Sequence, residues 1–169
     1  AMREATFGQE HPDLCMSLNN LAELYKATKE YDRAEPLLKR SLAIRVKTFG
    51  PAHRDVGASL SSLAALYKLQ GKSDYAERLY VRAIEVMKEA ERANPGEVAG
   101  AENDLGVLYF SQGYLSKARP LFESSLAIRR KVLGAQHPIV SSSLGNLAGV
   151  AKAQGRSKEA EELYLEALA

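Results

Sequence analysis

The chain has 169 residues, 46% of them hydrophobic, and its 23 Lys and Arg nearly balance 21 Asp and Glu for a formal net charge of +2. That length suffices for a sizeable core, and the mixed charges belong to a globular protein rather than a disordered tail. So small a net charge gives no argument for nucleic acid, which favours a clustered basic face, no apolar run nears the roughly 18 residues that span a bilayer, and a lone Cys15 excludes an internal disulfide.

Residues 1–8, Ala-Met-Arg-Glu-Ala-Thr-Phe-Gly, align with 43–50 at a shift of 42 positions, sharing Arg, Thr, Phe and Gly. They are therefore expected to be the end of a preceding repeat. No charged-then-apolar stretch precedes them, so the expected compartment is the cytoplasm. Four units then follow one plan, expected at 9–50, 51–92, 93–134 and a truncated 135–169, all within a single array over 1–169. Such half-units at both ends read as a piece cut from a longer array.

Each unit opens on a turn: His11-Pro12-Asp13, His53-Arg54-Asp55, Pro95-Gly96-Glu97 and His137-Pro138-Ile139. Proline at a first helical position gives up only an N–H that has no partner there. Leu18, Leu21, Leu24 and Tyr25 then recur at helical spacing, and 42 positions on stand Leu60, Leu63, Leu66 and Tyr67. Ala22, Ala64, Gly106 and Ala148 are the small residues that let a second helix approach. Gly71, Gly113 and Gly155 end this first helix, with Lys29 in that place in the first unit. The second helix repeats the device with Ala34, Ala76, Ala118 and Ala160, followed by Leu38, Tyr80, Phe122 and Tyr164, and Gly50 and Gly134 close the longer ones. No segment alternates with period two, so strands are not expected.

Small residues at matching places in two helices, a Tyr one turn past the first of them and a Gly turn resemble the tetratricopeptide repeat. The common repeat has about 34 residues. The longer form here, with Leu-Asn-Asn-Leu-Ala, Ala-Glu-Pro-Leu, Leu-Ala-Ile-Arg and Gly-Pro-Ala-His, is similar to the kinesin-light-chain and nephrocystin-3-like type. Unit three departs from it with Asn94-Pro95-Gly96-Glu97 and with Glu102 for the leading Leu, and unit four has Ala151 for the Tyr. The resemblance implies an all-α, right-handed α-solenoid whose first helices line a concave groove for a peptide. It also implies a scaffold or adaptor, since kinesin light chains bind cargo motifs in which acidic residues flank a Trp. The sequence has no phosphate-cradling Gly loop, His-Glu-x-x-His or paired-Cys spacing, so neither catalysis nor a cofactor is expected.

Spacing supports such a face independently, because positions off the apolar stripe and three or four residues apart form a continuous surface. The candidate residues are Asn19, Asn20, Glu23 and Lys26 in the first unit and Ser61, Ala65 and Lys68 in the second. The third supplies Asn103, Val107 and Phe110, and the fourth Asn146, Gly149 and Lys152. Three units put a Lys at one corner and the third puts Phe110 there, which suits a peptide bearing carboxylates and an apolar anchor. Asn20, Ser62, Asp104 and Asn146 either touch ligand or bond between neighbouring helices. The expected partner is a protein or peptide of acidic character, with neither nucleic acid nor membrane.

His11, His53 and His137 stand singly in the opening turns of units one, two and four, too far apart to share a metal, and are expected to pack or cap at helix starts. Cys15 is expected to be a packed thiol. Ser141-Ser142-Ser143 and Lys152 lack a base with an orienting partner, so no nucleophile is expected. Two other functions stay open: a spacer or head-to-tail assembly element working through uncapped ends, and the ligand-sensing region of a larger signalling protein.

Overall fold

The computed structural model describes residues 11–91 and 93–168. Eight α-helices lie among them: α1 Leu14–Ala27, α2 Tyr31–Phe49, α3 Arg54–Leu69, α4 Ser73–Glu89, α5 Pro95–Ser111, α6 Leu115–Leu133, α7 Pro138–Ala153 and α8 Ser157–Leu168. The described residues contain no strand. The chain divides at Ala93 and Asn94 into two compact units. In the first, α1 packs on α2, α2 on α3 and α3 on α4; in the second, α5 packs on α6, α6 on α7 and α7 on α8. Each unit is thus two helical hairpins stacked side by side, the building plan of an α-solenoid.

The turn between the two helices of a hairpin is the same in all four. Lys29, Gly71, Gly113 and Gly155 have φ of 61°, 74°, 79° and 76°. The next residue's N–H then reaches back to the carbonyl of Tyr25, Tyr67, Tyr109 or Ala151 at 2.8–2.9 Å. This left-handed stop satisfies carbonyls that the helix end would otherwise leave open.

At the opposite ends, His53 and His137 accept hydrogen bonds through Nδ1 from the backbone N–H of Asp55 and Ile139, each at 3.2 Å. Asn94 does the same for Gly96 at 3.0 Å, and His11 for Asp13 at 3.3 Å. His53 and His137 therefore act as N-caps in the manner usual for Asn or Asp, whereas His11 bonds within the turn ahead of α1, whose N-cap is Asp13. Pro95 and Pro138 sit at the first helical position, whereas Pro12 lies in a tight turn ahead of α1.

The small residues of both helices are buried in every hairpin: Ala22 and Ala34, Ala64 and Ala76, Gly106 and Ala118, Ala148 and Ala160. Gly106 leaves no room for a side chain. A β-carbon there would lie 2.7 Å from Cε1 of the buried Phe122 ring. Cys15 is buried beside Leu14, Leu18 and Ile44.

One expectation needs correction. Leu21 and Leu24 belong to the apolar stripe of α1, yet they are 39% and 56% exposed, while Leu63 and Leu66 at the same places in α3 are buried. The reason is that α2 covers that side of α3, and no described element covers it on α1. Tyr164 and Leu168 on α8 are exposed by the mirror-image argument, whereas Tyr80, Ile84, Phe122 and Leu126 are covered. The residues expected to end a preceding repeat, 1–8, lie outside the described residues.

Candidate functional site: the exposed face of the first helices

Helical spacing puts Asn19, Glu23 and Lys26 on one face of α1, and Ser61, Ala65 and Lys68 on the corresponding face of α3. Asn20 and Glu23 are exposed; Asn19, Ser61, Ala65 and Lys68 are half-buried. Lys26 is not a free ammonium. Its Nζ donates to both oxygens of Glu23 at 2.8 and 2.9 Å, and its side chain is only 13% exposed against 58% for the Glu. Lys68 has Ala65 in place of that acid, and among the described residues it makes no ion pair. The Oδ1 atom of Asn19 is enclosed without a hydrogen bond.

In the second unit, Phe110 is 39% exposed at the Lys corner of α5. A β-carbon on Gly149 of α7 would lie 3.7 Å from its Cζ, so the ring is flanked by a helix surface without side-chain bulk. Val107 and Asn146 are half-buried and Lys152 is exposed. The polar position left open by the sequence takes a structural role in this unit: Asn146 Nδ2 donates to Asn103 Oδ1 at 2.9 Å, joining α7 to α5. At the same position in α3, Ser62 turns back to the Ala58 carbonyl at 3.1 Å.

Two arginines on second helices belong with this face and were not among the candidates. Arg129 of α6 donates through Nη1 to Ser143 Oγ at 2.7 Å and to Asn103 Oδ1 at 3.4 Å. Arg45 of α2 donates to Ser59 Oγ and to the Asp55 carbonyl, both at 2.9 Å. Every partner named is neutral. Burial lowers the pKa of Arg129, with the Asp104 carboxylate opposing the shift, but a guanidinium remains charged at neutral pH. Both guanidinium groups are thus hydrogen-bonded by neutral acceptors, and at Arg129 the Asp104 carboxylate acts on the charge through space. Its signal was in the sequence: Arg45 and Arg129 each precede a Ser by fourteen positions, while Met87 precedes Ala101.

Chain similarity agrees with this architecture. The tetratricopeptide-repeat family model matches residues 1–89 and 97–169. No curated protein matches the sequence. Among solved structures, BtubC (BKLC) from P. vanneervenii is 29% identical with a TM-score of 0.85, over 98% of this chain and 68% of that one. A Podosopora anserina protein, named for kinesin light chain and for nearly identical TPR-like repeats, is 28% identical with a TM-score of 0.76, over 99% of this chain and 79% of that one. MamA, 18% identical with a TM-score of 0.66 over 93% of this chain and 78% of that one, shares the fold. Repeats of this family are non-catalytic scaffolds that bind protein partners. With its hairpins, its left-handed turns and its paired small residues matched throughout, the chain belongs to the tetratricopeptide-repeat family and resembles kinesin light chain.

Proposed function

We propose that the chain binds peptide segments of a partner protein along the exposed faces of the first helices, α1 with α3 in the first unit and α5 with α7 in the second, as a cargo-adaptor module does. The ligand carries carboxylates and one apolar anchor. The observation that supports this reading best is the half-buried Arg129 guanidinium, whose hydrogen bonds among the described residues go to the neutral groups of Ser143 on α7 and Asn103 on α5. Lys68 and Lys152 add ammonium groups without acidic partners among the described residues, and Phe110 offers an apolar surface. Acidic ligands gain both orientation and association rate from such a surface.

The test is an array of short peptides of mixed composition probed with the wild-type chain and with a Lys68→Glu, Lys152→Glu variant whose helicity is verified by circular dichroism. Selected peptides should be rich in Asp, Glu and a large apolar residue, and the variant should lose them. Selection indifferent to peptide charge, or unchanged by the variant, would overturn the reading.

A second reading, self-association, draws on the exposed Leu21 and Leu24 on α1 and Tyr164, Leu165 and Leu168 on α8. These are the kinds of face that neighbouring hairpins bury against each other within each unit. Light scattering across a concentration series separates the readings: growing oligomers support it, and a monomer at every concentration eliminates it.

A further inference from the structure

The three lysines that share one corner of the first helices differ in what stands one turn before them. Lys26 follows Glu23, Lys68 follows Ala65 and Lys152 follows Gly149. Only the first has an acid there, and the carboxylate holds the ammonium through both oxygens at 2.8 and 2.9 Å. The exposures show which partner faces outward: the Lys26 side chain is nearly covered, whereas most of Glu23 meets solvent.

Resting on the peptide-binding reading, we infer that Glu23 is a specificity residue that excludes ligand carboxylates from the first hairpin and sets an acidic ligand in register with Lys68. A carboxylate approaching the Lys26 corner meets the Glu23 carboxylate first. It must then displace an internal acid already in place, at the cost of like-charge repulsion during approach. At Lys68, one hairpin further on, no such competitor stands at the preceding turn. The ligand therefore places its acidic residue over α3, and over α1 it places a residue that is neutral, amide-bearing or basic. Tight binding is not needed for this effect. Exclusion of a wrong register requires only that the correct one be less costly, which is how like charges impose specificity elsewhere.

Two fluorescein-labelled twelve-residue peptides test the inference by anisotropy at low salt. Both carry a central Trp; one has a Glu pair on one side of it, and the other has a Glu pair on each side. Glu23→Gln should strengthen binding of the doubly acidic peptide about threefold or more, as removal of one nearby like charge warrants, and leave the singly acidic one nearly unchanged. Adding Lys26→Gln should cancel that gain. Lys68→Gln should weaken both peptides. If Lys68→Gln weakens them but Glu23→Gln leaves the doubly acidic peptide as in wild type, the register inference falls and the groove reading stands. If Lys68→Gln changes neither, or neither peptide binds, the groove reading falls and takes the inference with it.

Discussion

Lys29 does the work of a glycine at the turn after α1, with a φ of 61° where the other three turns use Gly71, Gly113 and Gly155. A side chain in the left-handed region costs about 1–2 kcal/mol, part of which the greater freedom of an unfolded glycine returns. Lys29→Gly is therefore expected to raise stability by about 0.5–1 kcal/mol, read as a shift in the urea midpoint. Gly106 presents the opposite case. Alanine there gains helix propensity but drives a β-carbon into the Phe122 ring, which is itself buried and cannot yield. Gly106→Ala should destabilise by about 1–3 kcal/mol in the same experiment. Tyr67 shows how the aromatic series is covered: its ring meets Tyr75 at 5.7 Å and the Lys72 ammonium at 5.3 Å. In α5, Tyr109 meets Tyr114 and Lys117 instead, the same pair of cover types in exchanged positions. Truncating Tyr67 to Ala should cost about 3–5 kcal/mol. An unchanged melting curve would contradict its place in the core.

Between helices, the first hairpin of each unit is tied to the second by polar bonds as well as by apolar burial. Glu35 of α2 accepts from the Tyr67 hydroxyl at 3.0 Å and from Gln70 Nε2 at 3.4 Å, while pairing with Lys39 at 2.7 Å. The Lys39 ammonium is the main cause of a lowered Glu35 pKa, against an opposing contribution from burial. A carboxylate with a lowered folded-state pKa contributes stability that is complete above its unfolded value of about 4.3 and is lost as pH falls through the folded one. Wild type should thus exceed Glu35→Gln in melting temperature at neutral pH, and the gap should close on acidification below about pH 4. In the second unit Arg119 of α6 plays a corresponding part with Glu159 of α8. The Arg129–Ser143 bond is open to a double-mutant cycle. Ser143→Ala alone leaves the guanidinium short of an acceptor, and Arg129→Met alone removes the donor. Together they should cost less than their sum, with a coupling of about 0.5–3 kcal/mol. The natural occurrence of Met87 fourteen positions before Ala101 presents the same pair of replacements.

For the molecule as a whole, the charges on the first-helix face act on a ligand through solvent, so their influence is set by ionic strength. Screening shortens from about 10 Å at 0.1 M salt to about 3 Å at 1 M. Binding of an acidic peptide should therefore weaken several-fold between about 0.1 and 1 M salt, and the Lys68→Glu, Lys152→Glu variant should show little such slope. Salt-independent binding by wild type would place recognition on apolar or convex surfaces instead. No described helix is long and apolar enough to cross a membrane.

The amino-acid sequence alone determined the hairpin plan, because a recurring Ala, Tyr and Gly pattern has one low-cost solution: two helices crossing at small residues and stopped by a left-handed turn. It also located His53 and His137 at helix starts, where the structure finds them capping, and His11 in the turn just ahead of one. Tertiary structure decided what sequence position cannot express, namely which side chains other groups have already claimed. Lys26, Lys68 and Lys152 are equivalent by register, yet Glu23 occupies only the first. Asn103 and Asn146 look like ligand-facing amides until Asn146 is seen bonded to Asn103. Arg129 lay on the other helix of its hairpin and became part of the face only through the packing of α6 against α7. Periodicity fixes a direction around a helix axis, whereas hydrogen-bond partnership depends on distances between helices that only their packing sets.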